Sequence, residues 1–434
     1  MRNFLFLQLF LVLTAGAFAQ VSISDKIEQR SKAILPKLIE WRRHIHQYPE
    51  LGNREFNTMN YIADHLKKLG LEVTVGVAKT GVVAILKGDK PGPVVALRAD
   101  IDALPIEERN NLPFASKQKA EYIGREVSVM HACGHDTHTA ILMATAEVLA
   151  SMKKDLTGTV KFIFQPAEEG APPGEEGGAA LMVKEGVMDN PKVDVIFGLH
   201  ISSALESGLI KYKSGAFMAS SDWFTVTVKG KGAHGSAPWL GIDPIMISAQ
   251  IINGLQTIVS RSEDLTQAPV VITVGKFNGG VRENIIPEQV QFSGTIRTLD
   301  ENMQKDVHEK IRRTAAKIAE AYGATAEVVI ETKAKVTYNN PWLVEATVPS
   351  LIKAGGKTNV SPGSWTTGAE DFCFYGDKAP AFFFNLGGMF TGTPVNQVTG
   401  HHTPDFLIDD SQLHIGVKAF CHLVFDFAKI KQAK

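Results

Sequence analysis

Apolar residues at Ile27, Ile34, Leu38 and Ile45 recur at helical spacing and predict a helix over residues 24–48. A second helix is predicted over 58–69, where Gly70 supplies a stop. Short apolar runs at 82–86, 94–97, 160–164 and 193–199 then read as strands, with a helix at 139–152 between them. Such apolar strands, interleaved with helices, predict an α/β domain whose mixed, mostly parallel sheet is largely buried.

After Gly215 the pattern changes. Residues 223–228 alternate apolar and polar, as in a strand with one face toward solvent. A helix over 244–260, strands over 270–277 and 289–297, a long helix over 301–322 and a strand over 325–331 follow. That order, βαββαβ, predicts a ferredoxin-like module inserted into the first domain. The division is a main domain of residues 20–215 and 335–434 and an inserted domain of residues 216–334. A chain of 434 residues exceeds one comfortable core, so two domains are also expected from length.

Composition changes this picture in three places. A net charge of −1 with no block of like charge argues against a nucleic-acid binder, which needs a basic surface. At the start, Arg2 precedes an apolar run over 4–19 that ends in the small-x-small site Ala17-Phe18-Ala19. The run is short for a membrane span, so residues 1–19 predict a cleaved signal. A mature chain beginning near Gln20 is then exported, periplasmic or secreted, without stable membrane anchoring. Cys133, Cys373 and Cys421 are an odd set, so no disulfide framework is expected, and Cys373 with Cys421 is the pair left open to a bridge.

The chemistry concentrates at segment ends. His131-Ala132-Cys133-Gly134-His135-Asp136-Thr137-His138 stands just before a predicted helix. Thiolate and imidazole are favoured ligands for zinc and its neighbours. Gly134 lets Cys133 and His135 turn to one side, and Asp136 is placed to hold an imidazole from behind. Taken alone, the cluster equally describes a polar loop with one buried structural cysteine. Further along, Glu168-Glu169 follow a buried strand, where α/β sheets place their sites, whereas Glu175-Glu176 read as a solvated loop. His200 closes another predicted strand, and His401-His402 precede the turn at Pro404. Asp100 and Asp102 end a further strand on a shared face, and Glu370-Asp371 add carboxylates.

From Trp41 to Phe425 the chain resembles the peptidase-related di-metal amidohydrolases. That family includes aminoacylases, hippurate hydrolases, N-acetyl-diaminopimelate deacetylases and indole-acetyl-amino-acid hydrolases. The resemblance rests on the segments above together with His46-Gln47-Tyr48-Pro49-Glu50-Leu51, Gly232-Ala233-His234, Asn284-Ile285-Ile286-Pro287 and Gly368-Ala369-Glu370-Asp371-Phe372. It implies a catalytic metal-binding domain interrupted by a lid through which the chain forms a homodimer.

The same resemblance implies two divalent ions (Zn, Mn, Co or Ni) held by Cys133, His135, Glu169, His200 and His402, with Cys133 bridging them. Glu168 matches the general base, and His234 a donor to the oxyanion, often reaching in from the partner's lid. Asp100, weighted above Asp102, would orient a ligand imidazole, while Asn284 and Arg297 would meet the substrate carboxylate. Hydrolysis of N-acyl amino acids or related small amides is the implied reaction. A dipeptidase or carboxypeptidase, or a non-catalytic metal-dependent binder, is the competing reading. The extra residues Ala171-Pro172-Pro173-Gly174-Glu175-Glu176 depart from the family pattern and bear on substrate preference.

Overall fold

The structure, a computed structural model, describes residues 21–432; the expected signal segment lies outside them. Its larger sheet has eight strands. In spatial order they are Glu72–Val77, Gly81–Lys87, Thr157–Gln165, Lys90–Asp100, Val195–Glu206, Ala381–Met389, Ile210–Tyr212 and Val360–Pro362. The four strands from Thr157–Gln165 to Ala381–Met389 run parallel, and antiparallel strands flank them on both sides.

Alternation explains why the central strands read as continuous apolar runs. Phe162, Phe164, Leu97, Phe197, Phe382 and Phe384 pack into one core, while Ile163, Ala96, Ile196 and Phe383 pack into another. Successive side chains of a strand point to opposite faces, so a sheet covered on both faces needs apolar residues at both parities. Helices Ile23–Gln47, His135–Ser151, Pro341–Gly355 and His414–Gln432 pack together and contribute to the first core. Gly178–Lys184 and Cys373–Gly376 contribute to the second.

The helix His135–Ser151 has an unusual start. Gly134 takes the N-cap position at φ +90°, and a Cβ there would lie 2.3 Å from Ile201 Cγ2. Both the left-handed conformation and the close approach require glycine. The helix therefore begins at His135 itself, four residues before the start expected at Thr139.

The second sheet orders its strands Val270–Gly279, Gln289–Thr298, Ser221–Lys229 and Thr325–Ala334, all antiparallel. With helices Pro244–Thr257 and Glu301–Ala321 packed in its core, it has the expected ferredoxin-like βαββαβ arrangement. Each helix has an aspartate cap: Asp243 accepts from Ile245 N, and Asp300 from Asn302 N and Met303 N. The chain enters this sheet through Gly215–Met218 and returns through Thr337–Asn339, and these two segments pair as a neck, Ala216 opposite Tyr338.

Two further expectations change. Cys133, Cys373 and Cys421 are all free and buried, so Cys373 and Cys421 do not bridge. His200 does not close its strand, because Val195–Glu206 continues past it with Asn385 as its register partner. No helix among the described residues is long and apolar enough to cross a membrane.

Candidate functional site

The carboxyl ends of the parallel strands bring the polar segments together, as an open α/β sheet dictates. Cys133 Sγ lies 3.5 Å from His200 Nε2 and 3.3 Å from His402 Nε2, which is itself 3.0 Å from Glu169 Oε1. His135 Nε2 is 3.9 Å from Glu169 Oε1 and 3.8 Å from Glu168 Oε2. Among the described residues five clusters of ligand-type atoms result, Asp100-His135-His138, His135-Glu168-Glu169 and Glu168-Glu370-Asp371 among them; the other two are Cys133, His135 and His200, and Cys133, Glu169 and His402. Cys133 belongs to both. The five residues named by the resemblance thus converge although 269 positions (402 − 133) separate the outermost.

Contacts from behind aim these donors. His135 Nδ1 lies 2.9 Å from the Asp102 carbonyl and 3.1 Å from Asp102 Oδ1, leaving Nε2 buried without a hydrogen-bond partner. His200 Nδ1 faces its neighbour's carbonyl, Ile201 O, at 2.6 Å, which turns Nε2 toward Cys133. Asp102 Oδ2 also accepts from Glu169 N, so one carboxylate fixes two of the five groups. A buried imidazole nitrogen with no partner, beside a thiol and a carboxylate, is what a cation site requires.

Backbone strain marks the same segments. Ala167 (φ +51°), just before Glu168-Glu169, and His402 (φ +61°) are two of the non-glycine residues in the left-handed region. Tertiary hydrogen bonds hold both: Ala167 N donates to Glu55 Oε1, and His402 N to Ala132 O.

The cluster is electrostatically biased toward a cation. Burial, reinforced by Glu169 and Glu168, pushes the Cys133 thiol well above its usual range. Burial opposes charge on His135, yet Asp100 and Asp102 outweigh it and raise that imidazole to about 10. Burial, with Glu370, Glu169 and Asp371 nearby, also raises Glu168 well above an ordinary carboxyl. Asp371 N, 3.3 Å from Glu168 Oε1, is the backbone donor that steadies that side chain. A bound cation reverses this field and deprotonates a coordinating thiol.

The fully buried Arg98 lies beneath. It donates to Asp100 Oδ2 (2.7 Å), Glu370 Oε1 (2.8 Å), Asp371 Oδ1 (3.0 Å) and Gln165 Oε1 (2.8 Å). Its charge offsets three carboxylates that the apolar surroundings would not otherwise tolerate.

Several expected roles move. Asp102, not Asp100, contacts the His135 imidazole; Asp100 Oδ1 is 3.8 Å from it and binds His138 Nδ1 at 2.6 Å. His138 is spent on Asp100 and on accepting from Ile201 N. Asp136 holds no ligand imidazole, pairing instead with Arg42 Nε (2.7 Å) and His46 Nδ1 (2.9 Å). His401 Nδ1 also approaches Cys133, at 3.7 Å, but its Nε2 accepts from Ser203 N, which separates it from His402. Glu175 is not simply solvated, since it binds Arg54, Lys79 and Asn53 and ties down the rim loop.

The lid residues lie apart. His234 is exposed, and its Nδ1 accepts from Ser236 N and faces Ser236 Oγ at 2.7 Å. Asn284 is exposed beside it through the bond from Gly235 N to its carbonyl. Arg297 donates to Ser221 Oγ (2.6 Å) and to Ile296 O, within its own sheet. Sequence reasoning gave no role to Arg98 or Gln165; an arginine inside an apolar strand was the available signal, since a buried guanidinium must be paired.

Residues 96–426 match the model of peptidase family M20/M25/M40. The chain is 40% identical over 414 residues to "Thermostable carboxypeptidase 1" of Saccharolobus solfataricus, covering 94% of this chain and 100% of that protein. To "N-acyl-L-amino acid amidohydrolase" of Geobacillus stearothermophilus it is 42% identical over 303 residues, 70% of this chain and 78% of that one. Among solved structures it resembles the Bacillus subtilis YXEP protein, described as a dinuclear metal binding peptidase. There the TM-score is 0.76 and the identity 37%, with 92% of this chain and 99% of that chain covered. The chain belongs to peptidase family M20/M25/M40.

Proposed function

We propose that the protein hydrolyses the amide bond of N-acyl amino acids with two divalent metal ions, zinc, manganese, cobalt or nickel. The observation that carries this reading is the pair of ligand groups sharing Cys133, with Glu168 beside them. Cys133, His135 and His200 would hold one ion; Cys133, Glu169 and His402 the other. When bound, the ions supply Lewis acidity to the attacking water and to the amide carbonyl.

The remaining work falls to this chain. Glu168 accepts a proton from the attacking water and returns it to the departing amine. Asp371 N steadies its carboxylate. Asp102 holds His135 in one tautomer, and Arg98 anchors Asp100, Glu370 and Asp371 behind the site by hydrogen bonds.

The lid completes the site from a second copy of the chain, His234 serving the oxyanion and Asn284 and Arg297 the substrate carboxylate. Exposure supports this: His234 and Ile285 are register partners, and Val281 (92% exposed) and Trp239 (78%) lie near them in the chain. Residues 1–19 would direct export, and the N-terminal sequence of the secreted protein tests it.

Carboxypeptidase relatives of equal similarity support a second reading, cleavage of a C-terminal peptide bond. A panel of hippurate, N-acetyl amino acids, indole-acetyl conjugates, N-blocked peptides and dipeptides, each with several divalent metals, separates them. Turnover of the N-acyl amino acids is expected; turnover of peptides alone would transfer the assignment. Binding of acyl amino acids with no turnover across the panel would make the protein a binder.

A further inference from the structure

We infer that the cavity around Lys211, where the sheet continues beyond His200, takes the side-chain carboxylate of an acidic amino acid in the amine half of the substrate. This rests on the amide hydrolysis proposed above and specifies its substrate. The amine half is common to N-acyl amino acids and to C-terminal peptide bonds. The cavity, of about 530 Å³, is lined by Lys211, Asn385, Ser202 and Ser364, with Leu205 and Phe217 among its apolar residues. That volume suits part of a small ligand, since ligand pockets run to roughly 300–1,000 Å³.

Register ties the cavity to the ligand cluster. Asn385 is the partner of His200 across one ladder, Lys211 of Asn385 across the next, and Ser361 of Lys211 across a third. Residues directly opposite in a sheet point to one face, so His200, Asn385, Lys211 and Ser361 form a single polar row. Two strand spacings set the Lys211 backbone about 10 Å from that of His200. A side chain on the departing amine can span that interval toward the ammonium, glutamate reaching one methylene farther than aspartate. Phe217 belongs to the neck strand Gly215–Met218, so the cavity also borders the approach to the lid, whose Asn284 and Arg297 are assigned the α-carboxylate.

Charge decides what enters. Lys211 is half-buried, and its Nζ donates to Ser361 Oγ at 2.6 Å. Among the described residues it pairs with no carboxylate, and no Asp or Glu lines the cavity. An ammonium has three donors, so two remain for a ligand. A charge drawn partly out of water favours a counter-charge. Asn385 is also half-buried and forms no side-chain hydrogen bond among the described residues, so its amide nitrogen adds a further donor. A carboxylate meets both groups through charge-assisted hydrogen bonds, which a neutral amide of the same shape forfeits.

N-acetylglutamate and N-acetylglutamine share that shape and differ in the one charge. Affinity for both is measured by calorimetry on zinc-loaded protein in a Glu168→Gln background, and kcat/KM for both in the Glu168 enzyme. The parent is expected to favour the glutamate compound in both measures. Lys211→Met, which keeps an unbranched stem, should lower the glutamate-to-glutamine ratio at least tenfold, and Lys211→Glu should bring it below one. Each variant is read as a ratio on one preparation, so a partial loss of folded or metal-loaded protein cancels. A parent with no preference overturns the assignment. So does an equal loss on both compounds, which would give Lys211 to the α-carboxylate they share. A ratio of affinities that falls as expected while the Glu168 enzyme hydrolyses neither compound keeps the subsite and sinks the proposed hydrolysis. Hydrolysis of both compounds with a ratio insensitive to either variant does the reverse.

Discussion

At the scale of single residues, roles follow from what each polar atom touches. Replacing Glu168 with Gln keeps the shape and removes the proton shuttle, so turnover should fall by about 10²–10⁴-fold while metal content is retained. Rates near the parent's would take Glu168 out of the reaction. Cys133→Ala should lower the metal-to-protein ratio, read by elemental analysis; a ratio equal to the parent's would count against a shared ligand. Glu55, which accepts from Ala167 N behind the Glu168-Glu169 segment, offers a pH test. Burial, with Asp102 nearby, raises its carboxyl from 4.5 to about 8, so the folded chain keeps a proton that the unfolded chain releases. Wild-type stability should therefore decline as pH rises from 4.5 to 8. Glu55→Gln mimics the protonated form and should lack that decline, gaining on the wild type in urea titrations at successive pH values. Parallel curves would refute the shift.

Sequence reading succeeded at this scale where one residue type suits one chemistry. Cys133, His135, Glu169, His200 and His402 are metal-type donors, and the fold brings them together even though His200 lies within its strand. The same reading weighted Asp100 above Asp102, but Asp100 ends the strand and Asp102 lies just past it, and the placement of His135 in the helix's first turn brings its Nδ1 to Asp102.

Among elements, the first helix and the helix bearing His135 are clamped by a buried ionic cluster. Arg42 and His46 reach Asp136, and His46 Nε2 lies 3.2 Å from Glu108 Oε1. Asp136→Asn leaves buried Arg42 with only Asp410, 3.8 Å from its Nη1, as counter-charge, and should cost roughly 3–5 kcal/mol in denaturant unfolding of metal-loaded protein. A loss below 1 kcal/mol would show that water or a neighbour compensates. The helices and strands expected before residue 334 overlap observed ones, since burial on both faces leaves long apolar runs, whereas Pro341–Gly355, Ala381–Met389 and His414–Gln432 were not individually expected. Sequence reading misplaced the start of the His135 helix because glycine ordinarily signals a loop. At Gly134 the positive φ makes it a cap instead, and that depends on Ile201, distant in the chain.

For the whole molecule, the exposed lid surface predicts dependence on assembly. His234→Ala should reduce turnover by about 10²–10³-fold, the loss of one oxyanion donor. Trp239→Asp combined with Val281→Asp should yield monomers in sedimentation and a comparable fall in activity. Fully active monomers would return His234 to the surface as an ordinary polar residue.

The neck between Gly215–Met218 and Thr337–Asn339 also bears on how such a molecule arose. Residues paired across an antiparallel ladder sit about 5 Å apart at Cα. In connectivity, then, the inserted module is a hairpin loop that acquired a fold of its own. Each doubling of such a loop adds only about 0.6 kcal/mol of closure entropy. An ancestral turn at this point could lengthen into a domain while the sheet beneath kept its strand order and its metal-type side chains in place.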